Sequence, residues 1–325
     1  SDIENNISAL VESLGRTAAV TADESLPARE LVAEACAQFE NSFDAKWGGF
    51  GGAPKFPSTM NLDCIIRNYI DNPTPAAKNT VTTSLDAMAS GGMYDHIGGG
   101  FSRYSVDEKW LVPHFEKMLY DQALLLRVYT HAAVLFKSET YKQICSEIIE
   151  YVLRDLRHPD GGFFSAEDAD SLDDQGHSHE GHFYVFTPDQ LRTILSPDEF
   201  EVACDHYEIT QTGNFEGKNI PSRLNHRGDF KRSPKVDAIR AKIFQARNQR
   251  TRPLLDDKVL TEWNAMMLST IAEAASLMGR ADWLEAALLN GEFLVNNLRD
   301  ENGEWKRSWH DSGSPKARHH ALAGC

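Results

Sequence analysis

Residues 90–123 read SGGMYDHIGGGFSRYSVDEKWLVPHFEKMLYDQA, a loop and the start of a helix in one stretch. It holds five glycines, six aromatic residues and a dense set of titratable side chains. Gly91, Gly92, Gly98, Gly99 and Gly100 let the backbone turn tightly and pass close to other groups, whereas a floppy linker would lack Phe, Tyr and Trp. Pro113 fixes φ for a first helical turn, and the run from His114 to Lys137 carries no Gly or Pro, which predicts a helix over 114–137. His114, Lys117 and Asp121 then share one face by three- and four-residue spacing. From Ala123 to Phe136 the segment is apolar nearly all round, as a buried helix is. The polar start is expected to open on a cavity while the body forms core.

The same design recurs on both sides. Upstream, WGGFGGAPKFP (Trp47 to Pro57) precedes a helix capped at Ser58 or Thr59 and running to about Ile70. Downstream, a helix over Glu139 to Leu156 leads into DGGFFSAEDADS (Asp160 to Ser171), and GHFYVFT (Gly181 to Thr187) has the aromatic and β-branched density of a short strand. Thr187-Pro188 opens another helix. In LLDDKVLTEWNAMM (Leu254 to Met267) a polar start again gives way to an apolar body, and ENGEWKRSW (Glu301 to Trp309) is a weaker fourth echo of the glycine-aromatic loop. Further helices are predicted over Ile3–Leu14, Leu31 to about Phe43, Pro75–Met88, Val236–Arg250 and Ala281–Leu298.

A unit of about two helices that cannot bury itself alone implies a solenoid or a closed ring. Long glycine-aromatic loops before the inner helices favour the ring. The expected fold is therefore all-α, an (α/α) toroid of helical hairpins of six-hairpin type, with a short β-hairpin or strand insertion. Inner helices are placed near Ser58, His114, Thr187 and Asp256, too few to close a ring. The chain is accordingly expected to be a single domain over 1–325, incomplete at its C-terminus, that self-associates through uncovered apolar faces.

Composition narrows the function. The formal net charge of −15 argues against nonspecific nucleic-acid binding, which needs a basic surface, and against anionic membranes. No run approaches the ~18 apolar residues of a membrane span, and the start SDIENNISALVES lacks a basic region followed by an apolar one, so a soluble, cytoplasmic chain is expected. The five cysteines, Cys36, Cys64, Cys145, Cys204 and Cys325, form no close pair and read as reduced structural thiols. Residues 167–182 carry many carboxylates and histidines but lack both the calcium-loop pattern and a helical histidine pair, so no metal is expected. The Gly98–Gly100 triplet is no phosphate loop, and no cofactor is expected.

WGGFGGAPKFP, the 90–123 stretch, GGFFSAEDADS followed by EGHFYVF, and DDKVLTEWNAMM together resemble the family of thioredoxin-domain-containing proteins of the spermatogenesis-associated protein 20 type, over roughly residues 28–310. The resemblance implies an N-terminal thioredoxin-like domain followed by an (α/α) barrel, similar in architecture to N-acylglucosamine 2-epimerases and other carbohydrate enzymes. This sequence departs from that pattern in carrying no thioredoxin-like segment with its cysteine motif. The redox chemistry of such a domain is not expected of residues 1–325.

Loops that line one funnel deliver aromatic faces to stack on a sugar and titratable groups to move protons. His114, Asp257, His96, Asp95, Glu116 and Asp168 are the candidate catalytic residues, histidine because it titrates near neutrality. Trp47, Lys55, Tyr94, Arg103, Tyr104, Trp110, Asp121, Glu167, Asp170, Trp263 and Asn264 are the candidate ligand-binding residues. Two functions fit: a sugar epimerase or isomerase, or glycosidase-like enzyme, acting on a sugar-like small molecule, and a non-catalytic module that binds a partner beside a thioredoxin-like domain.

Overall fold

The computed structural model describes residues 30–310 without a break, together with residues 7–8, 10–12, 14–15 and 318–320. Its contacts divide the chain into two compact units, residues 1–35 and 36–325. Much of the helix expected over Ile3–Leu14 lies outside the described residues, as does most of the C-terminal HHALAGC.

The second unit is all-α, built from helical hairpins in the (α/α) toroid manner. After the last residues of α1 (Glu30–Asn41), which begins in the first unit, the hairpin α2 (Thr59–Asp71) and α3 (Pro75–Ser90) is followed by α4 (Leu119–Leu135) with α5 (Glu139–Asp155), and later by α9 (Thr261–Met278) with α10 (Ala281–Leu298). Helix α4 packs on α2 and α9 at its flanks and on α5 behind, so α2, α4 and α9 form an inner row and their partners an outer one. The contacts Tyr120 with Trp263, Arg127 with Ser269 and His131 with Glu273 advance together along α4 and α9, so the inner helices run parallel. Between the rows lies the main core, including Leu62 and Ile65 of α2, Leu85 of α3, Leu125 and Tyr129 of α4, Ile148 of α5 and Ile271 of α9. Each fully buried Leu or Ile there contributes about 1.5–3 kcal/mol.

Outer helices α3 and α5 begin on side-chain caps, Thr74 accepting from the Ala77 N–H and Ser138 from that of Tyr141. Inner helices α4 and α9 have no such cap and grow directly out of strands. Strands β1 (Lys117–Met118), β2 (Ala166–Glu167) and β5 (Leu255–Asp256) form one antiparallel sheet, in the register Met118 to Ala166 to Asp256. Lys55 bridges Ser105, and the Trp110 indole N–H donates to the Trp47 carbonyl at 2.9 Å. The loops at Trp47, Gly92, Gly162 and Asp256 are thereby tied together at one end of the helical layer.

Three local expectations are overturned. Residues 112–116 are extended rather than helical: the N–H groups of Arg103, His114 and Val106 donate to the carbonyls of Glu116, Tyr104 and Val112, each at 2.9 Å. Pro113 suits this edge position because it has no N–H to give and holds Val112 extended. Residues 181–184 form a turn and Phe186 makes only an isolated bridge to Asn219, while the strands fall just before, as the hairpin β3 (Asp170–Leu172) and β4 (Ser178–Glu180). The helix after Thr187, α6 (Pro188–Ile194), joins α7 (Pro197–Tyr207) and α8 (Pro234–Arg247) around a separate small core of Ile97, Leu191, Tyr207 and Ile239. It is not an inner helix.

Glycine is required where backbones touch. Gly91 has an ordinary φ of −74°, but a Cβ there would run into the Trp110 carbonyl oxygen, a backbone atom that cannot rotate away. Gly91→Ala is expected to cost about 1–3 kcal/mol by overpacking, while Gly52→Ala, which opens onto free space, should melt with the parent. Equal melting of the two variants would contradict the packing described.

Candidate functional site

The glycine-aromatic loops share one turn. Asp44, Asp95 and Asp300 each stand beside an isolated bridge, Phe43 to Phe50, Tyr94 to Phe101 and Arg299 to Trp305. In each, Oδ1 accepts two backbone N–H groups of the turn: from Lys46 and Trp47, from Ile97 and Gly98, and from Asn302 and Glu304. In each, Oδ2 takes a lysine from the segment that follows, Lys55 at 2.6 Å, Lys117 at 2.9 Å and Lys306 at 2.8 Å. His158 takes the aspartate's place in the Gly162 loop, with Nδ1 accepting from the Asp160 N–H at 3.1 Å.

That recurrence reassigns several candidates. The Asp95 side chain is 8% exposed and spends both oxygens on its own loop, with Arg247 as a second cation at 2.8 Å. Burial alone would raise its carboxyl, but the Arg247 and Lys117 charges outweigh burial and hold it well below the usual carboxylate range. His96 is buried beside it, bonded at 3.0 Å to the Gly91 carbonyl, and burial with the nearby Arg223 charge takes it down to about 4. Both border a cavity of about 20 Å³, room for one water. Lys55, Tyr94, Trp110, Glu167 and Asn264 are buried too. Tyr94 donates to the Glu147 carboxylate, Glu167 pairs with Arg252 at 2.6 Å, and the Asn264 amide bonds both backbone groups of Phe163. Trp47 is half-buried under the side chains of Lys46, Lys109 and Arg227.

A second group stays open. Tyr104 stacks on both His114, at 4.9 Å between ring centres, and Phe56, at 4.8 Å. His114 Nδ1 lies 2.8 Å from Glu180 of β4; with Nδ1 donating, the Nε2 lone pair is left to accept. On the next rung of the extended ladder Arg103 pairs with Glu116 at 3.3 Å, and its Nε donates to the Tyr120 hydroxyl at 3.0 Å. Tyr120 meets Trp263 edge-on at 4.9 Å. Asp121 follows in the first turn of α4, buried, with Oδ2 lacking any partner. Burial pushes its carboxyl up to about 8 against the lowering effect of Arg103 and Tyr120, and Glu116 adds to the rise. A carboxylic acid held protonated near neutrality can give a proton or a hydrogen bond that a carboxylate cannot.

Two catalytic candidates do not occupy their expected places. His114 lies five residues before α4 begins at Leu119, so no helix terminus acts on it. Asp257 sits in the turn before β6 (Val259–Leu260), not at a helix start, and is exposed and 3.5 Å from His310. Asp168 and Asp170 are exposed at the base of the β3–β4 hairpin.

The inner helices also carry polar residues that the apolar reading of 123–136 passed over. His131 of α4 is held between Asp63 of α2, at 2.9 Å on Nδ1, and Glu273 of α9, at 3.0 Å on Nε2. The hydrogen bond to Asp63 leads the causes that raise its pKa. Tyr120, Leu124, Arg127, His131 and Val134 recur at helical spacing as the less buried stripe of α4, the signal that finds this face.

The helical hairpins, the parallel inner row and the loops gathered at its N-terminal end define an (α/α)-toroid protein. No protein-family model matches the chain. Its homologues include spermatogenesis-associated protein 20 of Mus musculus, 32% identical over 343 residues that span 94% of this chain and 43% of that protein. The Homo sapiens protein of the same name is 33% identical, over 92% of this chain and 42% of its own length. An uncharacterized protein of Caenorhabditis elegans is 34% identical over 83% of this chain and 41% of its own. The chain thus spans about two fifths of the length of these relatives. Similar solved structures include cellobiose 2-epimerase from Spirochaeta thermophila, 16% identical with a TM-score of 0.38 over 90% of this chain and 91% of that one. Unsaturated glucuronyl hydrolase from Bacillus sp. GL1 is 12% identical, with a TM-score of 0.45 over 88% of this chain and 56% of that one. Among the described residues no helix is long and apolar enough to cross a membrane.

Proposed function

We propose that the chain is a carbohydrate-directed (α/α)-barrel protein of the sugar epimerase or isomerase type, working by proton transfer between a histidine and a carboxyl. The observation that carries this reading is Asp121, buried, kept as the acid by its surroundings, and with one oxygen unpartnered beside Arg103, Tyr120 and Trp263. An epimerase must remove a proton next to a carbonyl and return one. His114, oriented by Glu180 through Nδ1, would take the proton on Nε2, Arg103 would stabilise the enediolate oxygen, and Asp121 would donate. The Tyr104 and Trp263 rings would supply apolar faces for the sugar.

A thermal-shift screen of reducing sugars tests the ligand class. A specific sugar is expected to raise the melting temperature of the parent, and to lose that effect in Trp263→Ala and Arg103→Ala. A library with no effect, beside capture of a protein partner through the same face, would replace this reading by that of a non-catalytic binding module.

A further inference from the structure

The turn of the β3–β4 hairpin brings together three groups that sequence spacing alone does not single out. Asp173 Oδ2 lies 3.1 Å from His179 Nε2 and 3.6 Å from His177 Nδ1, and the three atoms fall within 4.8 Å of one another. Asp173 divides its carboxylate between two tasks. Oδ1 accepts the N–H groups of Gln175 and His177, at 2.8 and 2.9 Å, and so fixes the turn. Oδ2 is left facing the imidazoles. Register does the rest: the pairing of Ser171 with His179 and of Leu172 with Ser178 returns β4 beside the start of the turn.

We propose that Asp173, His177 and His179 form a binding site for a borderline divalent metal ion of the zinc class, with water completing the shell. One carboxylate oxygen and two imidazole nitrogens are the donor set that such ions prefer, whereas calcium and magnesium favour oxygen alone. Tetrahedral zinc with bonds of ~2.0–2.1 Å needs donors about 3.3 Å apart. The Asp173 to His179 and Asp173 to His177 separations bracket that value, and the exposed imidazoles can rotate to close the third. The site is separate from the sugar chemistry proposed at Asp121 and does not depend on it. It is nevertheless linked to His114, because Glu180, the next residue after His179, bonds that ring.

The test is a titration of the tag-free chain with Co²⁺, followed by its visible absorption, and with Zn²⁺, followed by calorimetry and by competition against bound Co²⁺. One saturable equivalent is expected, lost or weakened at least ~10-fold in Asp173→Asn and in His177→Ala with His179→Ala, with His226→Ala unchanged. Both histidines are exposed, and Asn at 173 keeps an oxygen to accept the two turn N–H groups, so the variants should melt with the parent. Absence of saturable binding overturns the proposal. So does binding that survives removal of both histidines, which would place the metal elsewhere.

Discussion

Asp95→Asn should unfold at a markedly lower temperature than the parent, with a loss of about 3–5 kcal/mol. The Lys117 ammonium and the Arg247 guanidinium, 2% and 3% exposed, meet at this carboxylate, and neutralising it strands two buried cations. For a chain of this size that is a drop of about 4–7 °C. The sign with pH follows from the depressed folded value of Asp95. Its contribution is fully present above the unfolded carboxylate value of about 4 and is lost as pH falls through the lower folded one. The parent should therefore lose stability on acidification in a way that Asp95→Asn does not. Asp44→Asn, in the same turn but 22% exposed, should lose clearly less. Urea unfolding of the three proteins between pH 2 and 7 reads all of this, and an Asp95→Asn variant as stable as the parent would remove the structural role assigned to the loop.

Asp121→Asn is expected to do the opposite to stability while abolishing turnover. With a folded value of about 8, this carboxyl favours folding fully only below the unfolded value, and the benefit drains away as pH rises from about 4 to 8. Some three pH units at ~1.4 kcal/mol each set an upper bound of about 4 kcal/mol of strain at neutrality. Asparagine removes it at nearly the same volume. The variant should therefore melt higher at pH 7 and converge on the parent near pH 4. Because an amide cannot serve as a general acid, turnover should fall about a hundredfold or more. A gain in stability bought with loss of activity is the mark of a working site; a variant that melts lower at every pH would make Asp121 a core residue.

Much of the fold was legible because it rests on periodicity and caps. Helices α2, α3, α5, α8 and α10 lie within a few residues of their predicted bounds, and the recurring glycine-aromatic loops do gather at one end. What failed was local: a Pro-initiated helix at His114 competes with strand pairing to 103–106, a partner that no spacing rule reveals. Helix α6 carries a good capping box yet belongs to the small satellite core, because capping fixes where a helix starts and not what it packs on. The candidate site was half legible. Residue type singles out His114, Glu116, Arg103 and Asp121 of the site proposed above, and it equally singles out Asp95, Lys55 and Glu167, whose charges are paired inside the chain. Burial and pairing separate the two sets, and neither is written in the sequence.

The most direct test of proton transfer at Asp121 is solvent exchange. The protein, with the sugar that raises its melting temperature, is incubated in D₂O at neutral pH, and the C2–H signal of the sugar is followed by proton NMR. The parent should replace that proton by deuterium over many turnovers, and Asp121→Asn should do so about a hundredfold more slowly while folded and binding the same sugar. No exchange by the parent, or equal exchange by both proteins, would contradict the account.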